Sequence, residues 1–240
     1  MSILNVLISR DQLVVAVDTL AEDALTGAHS AGAEMLLIPQ HNMLLATRGA
    51  AQFFLKIYEL VLQASFRADF SIEKLSAEMG PVMDQLWLNY EKAAAEADLP
   101  IEQLGTEIIL GGWSPGSGRM MATAYGKSDS RRATAVQPIS GQFASPSDPL
   151  KGVAPSMLQA DLMTAGRLQA HYLNESASGR RPSANRLSPA GPGGRKGPWA
   201  DLTSRSRELD DSAAHGRVRP ALLGVACAPA RGDIRPAWRC

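Results

Sequence analysis

Cysteine is almost missing from this chain: two in 240 residues, at positions 227 and 240. That supports neither a disulfide framework nor a cysteine metal centre. The four histidines, His29, His41, His171 and His215, stand apart with no ligand spacing among them, so no metal and no cofactor are expected. No apolar run approaches the length of a membrane span. Arg10 and Asp11 interrupt the only early apolar stretch, which removes a secretory signal. These absences point to a soluble chain, expected in the cytoplasm. Lysine is scarce in one region only. Residues 175–240 carry eleven arginines, one lysine and seven prolines.

That scarcity marks a change of character. Residues 1–174 hold 12 Lys and Arg against 18 Asp and Glu, whereas residues 175–240 hold 12 against 6. From residue 180 onward neither a helical nor a strand period is sustained. Such a segment cannot bury enough apolar surface to offset its chain entropy, so disorder is expected. GC-rich DNA read in a wrong frame yields the same Arg, Pro, Ala and Gly. Residues 180–240 are therefore read as a disordered or out-of-frame tail. A basic tail attracts nucleic acid, but aromatic residues interleaved for base stacking are absent. A nucleic-acid binder ranks last among the readings.

Before that point the pattern is regular. Residues 3–9 and 13–18 read as two strands around an Arg10-Asp11-Gln12 turn, and after a polar link residues 34–38 and 43–47 read as a second hairpin. Phe53, Ile57, Leu60 and Val61 recur at helical spacing. Ser71 is a plausible N-cap for a helix over residues 72–97, with a kink at Gly80-Pro81. Strand, turn and strand follow across "TEIILGGWSPGSGRMMATAYG", then one strand within residues 133–144, then a helix started by Pro155. Strands, two helices, strands and one helix make an α+β domain with helices layered on antiparallel sheets.

Two motifs fail on context. Gly112-Trp113-Ser114-Pro115-Gly116 matches the nucleophile elbow, but that chemistry needs a strand turning into a helix, and here a second strand follows. "GGWSPGSGR" resembles a phosphate loop without its Gly-Lys-Ser/Thr ending or its helix. A hairpin turn explains both. The chain start survives the same scrutiny. Ser2 is small enough for Met1 to be removed, which would leave a serine hydroxyl beside its own α-amine. That is a nucleophile covalently tied to a base.

At this point the chain resembles the N-terminal-nucleophile hydrolases, in particular proteasome β-type subunits and their shorter bacterial relatives, over about residues 2–179. Counted without a gap from Ser2, the family aspartate at the end of the second strand falls on Asp18. "EMLLIPQHNMLLATRGAA" is similar to the family's next strand pair and turn. Ser140-Gly141 is similar to its later Ser-Gly, and Glu175-Ser176-Ala177-Ser178-Gly179 looks like its acidic motif, with Glu for the usual Asp. The resemblance implies a four-layer αββα sandwich followed by a disordered tail, with Ser2 as nucleophile and base and Asp18 orienting the amine. Ser140, Glu175 and Ser178 would form the supporting network, and the backbone N–H of Arg48 would be the oxyanion donor.

One departure outweighs these matches. The same count puts Glu34 where the family has its catalytic lysine, and a carboxylate there opposes the developing alkoxide. Arg48 stands where most relatives have glycine, and pairing with Glu34 would return a positive charge. Two readings follow: an N-terminal-serine peptidase or amidohydrolase acting on a peptide or amide with a degenerate site, or a non-catalytic subunit of a homo-oligomeric assembly. Neither requires a membrane.

Overall fold

The computed structural model describes residues 2–18, 20–22, 29–99, 104–153, 159–178 and 223–227. The chain opens with β1 (Leu4–Ile8) and β2 (Leu13–Val17), followed by a short hairpin, β3 (Leu20–Glu22) and β4 (His29–Ala31). β5 (Met35–Ile38) and β6 (Met43–Gly49) lead into helices α1 (Ala51–Ala64) and α2 (Ile72–Glu96). Then come β7 (Thr106–Ser114), β8 (Arg119–Lys127), β9 (Ala135–Pro138), β10 (Gly141–Ser145), α3 (Gln159–Ser178) and β11 (Leu223–Cys227). Two larger antiparallel sheets result, one in the order β10-β1-β2-β11 and one in the order β5-β6-β7-β8-β9.

Strand alternation sorts their side chains into layers. Leu4, Val6, Leu13, Val15 and Val17 pack against Leu44, Ala46, Ile109, Ala122 and Ala124, which joins the sheets face to face. The opposite face of the five-stranded sheet gives Met43, Leu45, Ile108, Leu110 and Tyr125 to a core with Phe53, Ile57, Met83 and Trp87 of α1 and α2. The opposite face of the four-stranded sheet meets α3, with Ile3 against Ala170 and Leu173, and Leu7 and Val14 against Leu162. The fold is therefore α+β, in four layers ordered helix, sheet, sheet, helix. Close approach of the sheets needs Gly111, because a Cβ there would stand 2.6 Å from a methyl of the buried Leu13.

The helices follow their sequence signals. Ser71 caps α2, its hydroxyl accepting from Lys74 N–H at 3.2 Å. Pro81 is accommodated inside α2, which continues to Glu96. Three sequence readings change. Residues 19–33 are not merely a polar link, since β3 and β4 pair within them. Residues 133–144 hold two strands rather than one. β9 pairs with β8, and the chain then crosses at Ile139-Ser140 so that β10 pairs with β1 in the other sheet. Leu223–Cys227, inside the segment read as a tail, pairs with β2. The rest of that segment, and Pro155, lie outside the described residues.

α3 is fixed to its sheet by a polar clasp within an apolar layer. Gln169 is fully buried. Its Oε1 accepts from Asn5 Nδ2 at 2.6 Å, and its Nε2 donates to Asn5 Oδ1 at 3.0 Å and to the Pro146 carbonyl at 2.8 Å. Removing one side strands the other, at about 1–3 kcal/mol for an orphaned buried group. Gln169→Ala is expected to destabilise the protein by about that amount, and Gln169→Ala with Asn5→Ala by less than the sum of the single changes. Urea denaturation of the four proteins measures this.

Candidate functional site

The start of β1, the end of β2 and the edges of β5 to β7 converge on one buried polar cluster. Register explains the convergence. β1 pairs with β2 so that Leu4 faces Val17, which carries Asp18 alongside Ile3. The Thr47 N–H donates to the Glu34 carbonyl at 2.8 Å, so Glu34 is fixed at the entry to β5 beside β6. Arg48 lies opposite Glu107 in the β6–β7 ladder.

The side chains meet around Ser2. Its hydroxyl donates to Glu34 Oε1 at 3.0 Å. The next amide, Ile3 N–H, donates to Asp18 Oδ1 at 3.0 Å. Arg48 Nε donates to the Ser2 carbonyl at 2.7 Å, and its Nη1 donates to Ser145 Oγ at 2.6 Å. The same Nη1 stands 3.6 Å from Glu107 Oε2. Asp18, Glu34, Arg48 and Glu107 are all buried.

Their electrostatics follow from that burial. Desolvation pushes the Glu34 carboxyl up to about 9, and the neighbouring charge of Asp18 pushes the same way. Desolvation also raises Asp18, against the bond from Ile3 N–H that favours its ionised form. Neither Asp18 Oδ2 nor Glu34 Oε2 receives a hydrogen bond from a neighbouring N–H or hydroxyl among the described residues. Burial and the neighbouring Asp18 thus both favour the protonated form of Glu34 near neutral pH.

Sequence reasoning named Ser2, Asp18, Glu34 and Arg48, and the structure brings these four together. Arg48 pairs with Glu107, not with Glu34 as the sequence suggested. Ser140 is not at the site. It precedes β10 at the end that faces Ile8, whereas Ser145 lies opposite Leu4. Roughly 13 Å of strand separates these ends at about 3.3 Å per residue, and Ser145 is the serine that Arg48 reaches. Glu175 is exposed on α3 and bonds His171 at 3.2 Å, outside the buried cluster. Ser178 is the last residue of α3, and its side chain lies outside the described residues. Glu107 and Ser145 were missed, because only strand register marks them.

The nucleophile-elbow match has a different place. Ser114 ends β7 fully buried, donates to Glu73, and accepts from Ser117 N–H at 3.0 Å across a hairpin turn. Among the described residues no group of His, Cys, Asp and Glu is arranged to hold a metal. No helix among them is long and apolar enough to cross a membrane.

The architecture defines a class, the proteasome-like αββα fold. Its likeness among solved structures is to ancestral beta-subunit (Anbu) proteins. The Anbu helical assembly from Pseudomonas aeruginosa superposes with a TM-score of 0.50 at 12% identity, over 72% of this chain and 73% of that one. Anbu from Yersinia bercovieri gives 0.49 at 11% identity, over 74% and 75%. No family model and no curated protein matches the chain. These findings correct the expected membership among the N-terminal-nucleophile hydrolases as a proteasome β-type subunit. The solved neighbours are ancestral beta-subunit proteins, and at such identity the likeness shows the fold alone.

The Arg48–Glu107 pair gives the site its first test. Removing one partner of a buried ion pair leaves an uncompensated charge, at about 3–5 kcal/mol, whereas an apolar pair of similar volume is often neutral. Arg48→Met is expected to cost that much in guanidinium denaturation, and Arg48→Met with Glu107→Leu to recover most of it.

Proposed function

We propose that this chain is a subunit of a homo-oligomeric assembly whose Ser2 site does not hydrolyse amides. Glu34 carries the reading. A serine attacking an amide needs positive charge where its alkoxide develops. Here the group 3.0 Å from Ser2 Oγ is a buried carboxyl whose charged form is disfavoured by burial and by Asp18. Ionised, it repels the alkoxide; protonated, it brings no charge. The guanidinium of Arg48 is committed to the Ser2 carbonyl, Ser145 and Glu107. Assembly is supported by apolar side chains left exposed on the outer helices, Leu55 and Leu88, and by Phe66 just after α1. The Pseudomonas aeruginosa protein of the same fold is described as a helical assembly. A cytoplasmic location fits this reading.

The nearness of Arg48 to Ser2 favours a second reading, an N-terminal-serine peptidase or amidohydrolase. Ser2 would be nucleophile and base, Asp18 would orient the amine, and the Arg48 N–H would be the oxyanion donor. It requires that Met1 be removed, which an intact mass decides. The two readings part on activity. Wild-type protein is expected to cleave a panel of peptide and anilide substrates no faster than Ser2→Ala. Glu34→Lys places a cation between Ser2 and Asp18 and is expected to create hydrolysis that Ser2→Ala abolishes. Wild-type hydrolysis that depends on Ser2 overturns the proposal in favour of the enzyme. Light scattering of the full chain is expected to give more than a monomer, and a stable monomer removes the assembly role.

A further inference from the structure

The same cluster anchors the first residues of the chain, and nothing in that anchoring depends on whether Ser2 attacks a substrate. Two hydrogen bonds tie the segment to the carboxyl pair: Ser2 Oγ to Glu34 and Ile3 N–H to Asp18. The two acids come from different sheets. Asp18 follows β2 in the four-stranded sheet and Glu34 precedes β5 in the five-stranded one. Each is buried, with one oxygen that no neighbouring N–H or hydroxyl among the described residues satisfies.

We propose that the proton shared by Asp18 and Glu34 is a latch on the chain start, holding Ser2 and Ile3 closed while present and releasing them when it is lost. With the proton, the pair carries one negative charge and one internal hydrogen bond. Without it, two carboxylates face each other in a dry layer with one fewer bond. The charges around them do not offset that loss. Arg48 on β6 acts on Asp18 but is matched by Glu107 on β7. From α3, Ala170 and Leu173 pack against Ile3, and the partly buried Tyr172 beside them directs its hydroxyl to Asp148, 3.5 Å away.

The direction with pH follows. With the chain start released and water admitted, Glu34 titrates as an ordinary carboxyl near 4.5, whereas in the closed form it holds its proton to about 9. Opening therefore releases a proton throughout that window. The closed form is fully favoured below the lower value and loses ground as pH rises to the upper one, by up to about tenfold per pH unit.

Amide hydrogen exchange of the full chain between pH 5 and 9 tests the latch, with each rate normalised to its intrinsic value. Protection of the N-terminal peptide carrying Ile3 is expected to fall by up to about tenfold per pH unit, while β7 and β8 peptides hold theirs. Glu34→Gln keeps a donor toward Asp18 without a titrating proton and is expected to flatten that dependence; Asp18→Asn does so from the other side. A pH-independent N-terminal peptide in the wild type overturns the proposal. So does an equal loss over β7 and β8, or the same slope in whichever of the two variants folds.

Discussion

A guanidinium buried between two sheets has to find all its partners inside the protein, and Arg48 sets the terms for everything around it. It stands on β6 in the five-stranded sheet, yet its bonds to the Ser2 carbonyl and Ser145 reach into the four-stranded one. Its counter-charge, Glu107, is its cross-strand neighbour, placed there by the β6–β7 register. A glycine here would leave the bond from Ser2 Oγ to Glu34 as the described polar tie from the start of β1 to the other sheet. With arginine, the start of β1 is tied across the interface by hydrogen bonds to the Ser2 carbonyl and Ser145.

In a hydrolytic N-terminal serine, positive charge belongs on the hydroxyl and open space beside it. Here the positive charge lies on the main-chain carbonyl and on Ser145, and the hydroxyl faces a carboxyl. Asp18 and Glu34 are two buried acids side by side, and the charge of Asp18 disfavours that of Glu34. Two acids in a low-dielectric layer are tolerated only by keeping a proton between them. Burial thus disfavours the doubly ionised pair, Glu34 most of all.

What the sequence made legible depended on how local the signal was. The β1–β2 hairpin, the apolar stripe of α1, the Ser71 cap and the β7–β8 hairpin are encoded by neighbouring residues, and all four are present. Asp18, Glu34 and Arg48 come from an ungapped count from Ser2, and the structure brings all four into one cluster. The count failed beyond β8. Nothing in "ATAVQPISGQFA" says that the chain leaves one sheet for the other at Ile139-Ser140. Ser140 therefore looked like the site serine, when β10 pairing delivers Ser145. Glu107 carried no motif at all, because a buried counter-charge is defined by register with a residue 59 positions earlier, which no local pattern encodes.

β11 extends this point. Its five residues, "LGVAC", lie in a stretch without sustained period, yet they pair with β2 on the side opposite β1. Pairing at that edge asks little of the strand's own sequence, since β2 already presents an ordered row of backbone groups on a strand whose side chains are buried. The order of the sheet then has a consequence for the site. β2 ends at Val17, directly before Asp18, so a strand on that edge braces the segment carrying one half of the carboxyl pair. β10 on the other side brings Ser145 to Arg48. Both outer strands of the four-stranded sheet thus bear on the same end of the molecule, and the position of Asp18 against Glu34 is set by sheet pairing, not by the loops that carry them.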